Sequence, residues 1–433
     1  SDVCSSDLME EKHPTVNVDK ILNKDLTFEM YKDYAVCANG AMFRKDVRGF
    51  LPELMEKIYN ERVIFKKKML AAEQEYEKTK DKQLIKEIAR CNNIQMARKI
   101  QLNSAYGAIG NQYFRYYKLE NAEAITLSGQ VSIQWIMDKM NSYLNKVLKT
   151  DGEDYVIASD TDSLYINMGP LVESVFKGRE KTTEGIVSFL DKVCQVEFEK
   201  YIESSYQELA DYVNAYDQKM FMKRECIAER GIWTAKKRYI LSVWDSEGVR
   251  YEEPKLKIKG IEAIKSSTPA PCRKMLKDSF KIMMSGSEDD MIKFIDDCRD
   301  EFKKLTPEQI AFPRTANDIK KYTSSSNIYA QKTPIQVRGA LLFNHYIKER
   351  KLTNKYSLIN NGEKVKYIFL KKPNTIHENV ISFIQDFPKE LNLDKYIDYE
   401  LQFEKAFLEP LKIILDSIGW SVEKTVNLEL FFS

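Results

Sequence analysis

Histidine is scarce: His13, His345 and His377 are the only three in 433 residues, which leaves little room for histidine-based metal sites or catalytic triads. The seven cysteines, at positions 4, 37, 91, 194, 226, 272 and 298, lie far apart with no C-x-x-C pair. That spacing argues against a zinc ribbon and against a disulfide framework. No run of 18 apolar residues occurs, and the N-terminus lacks a basic-then-apolar signal pattern, so the expectation is a cytoplasmic protein with no membrane partner. An excess of one charge is also missing: 67 Lys and Arg face 65 Asp and Glu, a formal +2, so any nucleic-acid surface must come from local segregation of charge. Carboxylates remain as candidate metal ligands, and they suit Mg²⁺ or Mn²⁺. What is present, 43% hydrophobic and 30% charged residues, is ordinary globular composition spread over a chain too long for one core.

The first eight residues, SDVCSSDL, are small and polar without periodicity and read as a cloning or assembly scar ahead of Met9. Between Pro52 and Gly107 there is neither Gly nor Pro, and Lys, Glu, Ala, Gln and Leu dominate. Such a stretch forms helix, and the polar KTKDKQ at 78–83 turns it back as a helical hairpin. From Arg62 to Lys99 there are 11 Lys and Arg against 5 Asp and Glu, a local +6 that fits a polyanion contact and equally fits a solvated helical face. Residues 122–149 carry apolar positions at helical spacing, an amphipathic helix on a core. A second β-rich region runs from Lys237 to Gly260 with a turn at Ser246-Glu247-Gly248. After Ser267-Thr268-Pro269, helical runs broken by proline continue to about Trp420.

In YVIASDTDSLYIN, residues 155–167, two β-rich runs flank DTDS, the pattern of a hairpin with Asp160 and Asp162 at its tip. A lone D-x-D is a weak signal and suits an exposed turn. At the end of half-buried strands, however, two adjacent acids repel unless a cation offsets them. Divalent ions held by carboxylates are the usual device for in-line phosphoryl displacement. In ARKIQLNSAYGAIGNQYFRYY, residues 97–117, Lys99, Asn103 and Tyr106 fall at i, i+4 and i+7 on one helix face. A cation, an amide and an aromatic ring there could hold a triphosphate and a sugar or base; periodicity alone reads the same stretch as a helix ending at Gly107.

Taken together, K-x-x-x-N-S-x-Y-G followed some fifty residues later by a strand-borne DTDS resembles the family B (polymerase-alpha-like) DNA polymerases. NSAYGAIGNQYFRYY, KKRY, EPKLKIKG, SSTP and IQVRGALLF, in that order, look most like the replicative polymerases of T-even-type phages. The resemblance covers residue 30 to the end. It implies an α+β polymerase right hand: a partial N-terminal palm at 9–50, a helical-hairpin fingers at 51–110, a β-sheet palm flanked by helices at 111–260, a mainly helical thumb at 261–425 and a tail at 426–433.

By the same resemblance, Asp162 is a principal metal ligand, Asp160 a weaker or indirect one and Glu225 an auxiliary third carboxylate, together holding two Mg²⁺, with Mn²⁺ as an alternative. Lys99 contacts the triphosphate and serves as general acid to pyrophosphate; Arg62, Asn103 and Thr161 are further nucleotide contacts, and Tyr106 packs near the nascent base pair. Lys236, Lys237, Arg238 and Tyr239 hold the primer duplex, as clustered cations beside an aromatic ring suit phosphate and minor-groove contact. Leu428, Leu430, Phe431 and Phe432 in the tail dock on a sliding clamp, or simply pack on the thumb. The implied activity is template-directed addition of dNTPs to a primer 3′-OH on primer-template DNA, in the bacterial host cytoplasm if phage-encoded.

The sequence departs from the family in three places. Nothing between Met9 and Pro52 matches the D-x-x-S-L-Y-P segment that carries the family's first palm Asp, although DTDSLY at 160–165 fits part of it. Residues for a 3′-5′ exonuclease are absent, so the chain reads as the C-terminal part of a longer polymerase or as one piece of a split one. Ser159 stands where the phage proteins commonly have Gly, and the hairpin is shorter than theirs. A noncatalytic primer-template-binding, clamp-tethered module completed by an N-terminal polymerase chain is the alternative, with another palm nucleotidyltransferase behind it.

Overall fold

The computed structural model describes residues 9–178, 182–324 and 327–423, which separate into two compact units. The first comprises the chain up to Ala228 together with Val243–Pro254; the second comprises Glu229–Ser242 and everything from Lys255 on.

The first unit begins with β1 (Met9–Lys12), α1 (Val18–Leu22), β2 (Tyr34–Val36) and β3 (Ala41–Arg44), whose strands pair antiparallel in the order β1-β3-β2. Two long antiparallel helices follow, α2 (Phe50–Thr79) and α3 (Lys82–Ile109). The turn between them needs only Lys80, in left-handed backbone at φ 54°, and Asp81, whose side chain accepts from Gln83 N at 2.8 Å and caps α3. The hairpin expected from the missing Gly and Pro is therefore present, with its turn inside the polar hexapeptide.

Next, α4 (Leu119–Leu148) buries Val131, Trp135, Ile136, Met140 and Leu144 along one stripe. That stripe packs with Ile21, Phe28, Val36, Met42, Phe198, Ile202 and Tyr206 into the unit's core, and Trp135 Nε1 donates to Ser205 O at 2.9 Å. Beyond it lie β4 (Val156–Asp160) and β5 (Ser163–Ile166), an antiparallel pair. The helices α5 (Gly169–Val175), α6 (Thr183–Val193) and α7 (Glu199–Tyr212) complete the run, with a π-helical turn at Cys194–Phe198 joining the last two.

Three strands, β6 (Cys226–Ala235), β7 (Arg238–Ser246) and β8 (Val249–Lys259), form a sheet in sequence order. The sequence reading found β7, β8 and their turn but not β6, whose ERG interrupts any alternation.

The second unit contains α8 (Ala270–Ser285), α9 (Glu288–Phe302), α10 (Pro307–Ile310), β9 (Phe312–Ala316), α11 (Ile319–Tyr322), α12 (Ile335–Glu349), β10 (Glu363–Phe369), β11 (Val380–Phe383), α13 (Tyr399–Phe403) and α14 (Glu409–Asp416). Its core is rich in phenylalanine: Phe280, Phe302, Phe343, Phe383, Phe387, Phe403 and Phe407 are almost completely buried. The region is mainly helical, and it also holds an antiparallel sheet of order β11-β10-β9 that the sequence reading did not single out. The strand VISF is fully buried and too short for periodicity to tell it from a helix segment. Against this sheet α12 sits so close that a Cβ on Gly339 would lie 2.4 Å from Ser382 Oγ, so only glycine admits the contact. Among the described residues no helix is long and apolar enough to cross a membrane.

Candidate active site

The β4–β5 hairpin is anchored at its base and presents two acids at its tip. At the base, Asn141 on α4 accepts with Oδ1 from the backbone N–H groups of Tyr155 (3.0 Å) and Val156 (2.9 Å), fixing where β4 starts. At the tip Asp160 pairs with Ser163, leaving Thr161 and Asp162 as the turn. Asp162 N donates to Asp160 O at 2.6 Å across Thr161, whose φ is 58°. A three-residue turn with positive φ at its centre is the rare, strained γ-turn, and a β-branched residue there compounds the strain. Thr161 Oγ1 donates to Asp160 Oδ1 at 3.0 Å, and Ser163 Oγ donates to Asp160 O at 3.1 Å. Asp160 is half-exposed; Asp162 is exposed, and its carboxylate makes no hydrogen bond or ion pair among the described residues.

Lys99, Asn103 and Tyr106 all lie on the second half of α3 and are exposed, Tyr106 by 43%. Arg62 is on α2. Arg98 Nε on α3 meets Glu61 Oε2 on α2 at 2.9 Å, and this contact sets the register of the antiparallel pair. By that register Arg62 stands within about 3 Å of the level of Lys99 along the helix axis, as a turn at Lys80–Asp81 also requires. Its Nε is buried with no hydrogen-bond partner among the described residues, so that donor has unused capacity. The same helix α4 packs against α3 and against both β4 and β5, giving the cations and the acids a common support.

Glu225 is exposed at the entrance to β6. Its neighbour Arg224 is buried: Nη1 donates to Asp245 Oδ1, and Nη2 donates to Asp191 Oδ1 at 2.7 Å. Asp245, 1% exposed, also receives Arg250 Nε at 3.2 Å and Gly248 N at 3.0 Å. Burial pulls the Arg224 guanidinium toward losing its proton; the carboxylates of Asp245 and Asp191 more than offset this, and its pKa rises. The sequence reading missed this cluster, because Asp245 sits in a VWDSEG turn pattern that gives no sign of burial.

Of the expected duplex contacts, Lys236 and Lys237 are exposed in the two-residue turn between β6 and β7. Arg238 is held by both oxygens of Glu262, at 3.0 and 2.6 Å, and Tyr239 is 5% exposed with its ring tilted against Trp233. Lys237, at φ 63°, has its carbonyl so close to Gly260 that a Cβ there would lie 2.2 Å away. Leu428, Leu430, Phe431 and Phe432, the expected clamp contacts, lie outside the described residues.

For a metal, the donor chemistry at the hairpin tip is right, since hard carboxylate oxygens suit Mg²⁺. The number falls short: among the described residues no group of three or more His, Cys, Asp or Glu side chains is arranged to hold a metal ion, so Glu225 does not join Asp160 and Asp162 in such a group.

An acid-tipped hairpin and a cation-bearing helical pair on one supporting helix agree with what whole-chain similarity shows: the chain belongs to DNA polymerase family B, whose model matches residues 3–205 and 188–418. It is 33% identical over 453 residues to the DNA-directed DNA polymerase of Enterobacteria phage T4, an alignment covering 92% of this chain and 50% of that protein. To the DNA-directed DNA polymerase of Escherichia phage RB69 it is 34% identical over 449 residues, covering 91% and 49%. The DNA polymerase of Thermococcus gorgonarius is 23% identical over 421 residues, covering 95% and 45%. The chain thus spans about half the length of the curated relatives it matches.

Proposed function

We propose that this chain carries the nucleotidyl-transfer half of a DNA polymerase, which extends a primer 3′-OH with dNTPs on primer-template DNA and releases pyrophosphate. The observation that carries the reading is the bare Asp162 carboxylate beside Asp160 at a strained, anchored hairpin tip. In a right hand of this family the α2–α3 pair acts as fingers, the β4–β5 hairpin with α4 as palm and the second unit as the main part of the thumb.

Each side chain then has a defined task. Asp160 and Asp162 present oxygens to divalent ions, which when bound lower the pKa of the attacking hydroxyl and offset charge on the leaving group. Two carboxylates supply only part of such a coordination sphere, and among the described residues no third joins them. Lys99 neutralises the triphosphate and delivers a proton to the departing pyrophosphate oxygen. Arg62, near the same level of the helical pair, binds a neighbouring phosphate oxygen through its guanidinium. Asn103 orients the nucleotide and Tyr106 presents a ring to the base pair. Thr161 holds Asp160 through its hydroxyl, and Glu225 assists as an outer carboxylate. Lys236 and Lys237 meet the duplex backbone, with Arg238 and Tyr239 stiffening the strand behind them. The tail engages a sliding clamp in the host cytoplasm.

A second reading, a noncatalytic module that binds primer-template, draws on the finding that among the described residues no third acid joins Asp160 and Asp162. Single-turnover primer extension with Mg²⁺ separates the two, comparing the chain alone with the chain plus the separately expressed N-terminal half of the phage RB69 relative. Extension on mixing, reduced about a thousandfold by Asp162→Asn, is the expected result. Normal extension by Asp162→Asn would refute the metal-ligand role of Asp162. Salt-sensitive duplex binding with no incorporation in either mixture would select the second reading.

A further inference from the structure

The turn between β7 and β8 is more tightly held than a surface turn needs to be. Glu247 has φ 52° and Gly248 φ 92°, so a non-glycine residue occupies left-handed backbone. Glu247 N donates to Glu225 O at 2.7 Å, and Gly248 N donates to the buried Asp245, itself gripped by Arg224 and Arg250. Positive φ at both residues is the primed geometry that a two-residue hairpin favours, and these contacts hold it in place.

What the turn fixes is the direction of one carboxylate. Glu247 Oε1 accepts from Lys66 Nζ at 2.5 Å, with the two side chains 25% and 32% exposed. Lys66 lies four residues after Arg62 on α2, one helical turn along the same face. Within its 30 residues α2 buries only Leu51 and Ala72, so apart from α3 little packing fixes it.

Electrostatic influence reaches further along the helix: burial raises the phenol pKa of Tyr251 on β8, and the carboxylates of Glu73 and Glu77 on α2 add to the rise.

We infer that Glu247 is a positioning residue: its ion pair with Lys66 tethers α2 to the β7–β8 turn and thereby sets where Arg62, and Lys99 level with it, stand. The nucleotide consequence rests on the polymerase reading above; the tether does not. Because Glu225 O anchors the backbone of Glu247, the path from the expected outer carboxylate to the fingers helix is two contacts long.

The test uses the full chain and four variants: Glu247→Gln, Glu247→Ala, Lys66→Ala and the exchange Lys66→Glu/Glu247→Lys. Amide hydrogen exchange around Lys66 should quicken about fivefold in the three single variants, stay unchanged in α4, and return to the parent rate in the exchange variant. Equilibrium binding of dATP should weaken about fivefold in the single variants and recover with the exchange. Exchange rates in α2 that ignore the substitutions, or a folded exchange variant that restores nothing, would overturn the tether. Altered exchange with unaltered dATP affinity would reduce Glu247 to a prop for the helix and overturn its positioning role. If neither the chain nor its mixture with the N-terminal half binds dATP, the polymerase reading fails, while the exchange rates still decide the tether.

Discussion

Two turns in the first unit place an acid close to a residue in left-handed backbone, and they treat those acids in opposite ways. At the β7–β8 turn Asp245 is wrapped: two guanidiniums and a backbone N–H point at it, and it is 1% exposed. At the β4–β5 turn Asp162 is exposed and no side chain or backbone donor among the described residues approaches its carboxylate. An acid with a structural task receives its counter-charge from the fold; an acid with capacity to spare has it available for a cation from solution. The same backbone device thus goes with a fully paired acid in one place and, in the other, with an acid that has no partner among the described residues.

The contrast breaks most readily through stability. Asp245→Ala leaves Arg224 and Arg250 facing an emptied, largely buried site, and should destabilise the chain by about 3–5 kcal/mol in urea titration. Asp162→Asn should shift the same titration by no more than about 0.5 kcal/mol, so equal effects would erase the distinction. A smaller effect sharpens it: Thr161→Gly relieves a β-branched residue at φ 58° and should raise stability by about 0.5–1 kcal/mol while weakening the hold on Asp160. Stability that falls instead would mean the turn is unstrained.

The smallest effect concerns an acid between these extremes. Glu208 on α7, 42% exposed, receives Lys139 Nζ at 2.6 Å and Lys24 Nζ at 2.7 Å, and those hydrogen bonds hold its pKa below the ordinary 4.5. A depressed carboxylate contributes stability that is complete above its unfolded value and is lost as pH falls through the folded one. Glu208→Gln should therefore cost about 0.5 kcal/mol at neutral pH and nothing at pH values below the folded pKa, as read by thermal melts across the acid range.

How much of this was legible beforehand depended on how local each feature is. The α2–α3 hairpin, α4 and the DTDS hairpin came through because uninterrupted helix formers, a 3.6-residue stripe and a polar tetrad between β-rich runs each act over a few turns. β6, with Glu229-Arg230-Gly231 at its centre, and the VISF strand are decided by neighbours distant in sequence. For the same reason Asp160 and Asp162 could be singled out by their setting, whereas Asp245 and Glu247 could not. Lys99, Asn103 and Tyr106 were legible as one face, but the matching of Arg62 with Lys99 needed the Glu61–Arg98 contact.

The length of the helical pair has a mechanical consequence. With 28 residues, α3 is about 42 Å long, and Lys99 lies ten residues from its open end, about 15 Å along it. A rotation of about 5° at that end moves Lys99 by roughly 1 Å and the Lys80–Asp81 turn by nearly 4 Å. The tip is therefore an amplifying pointer: a spectroscopic label there reports motions of Lys99 at roughly three times their own amplitude.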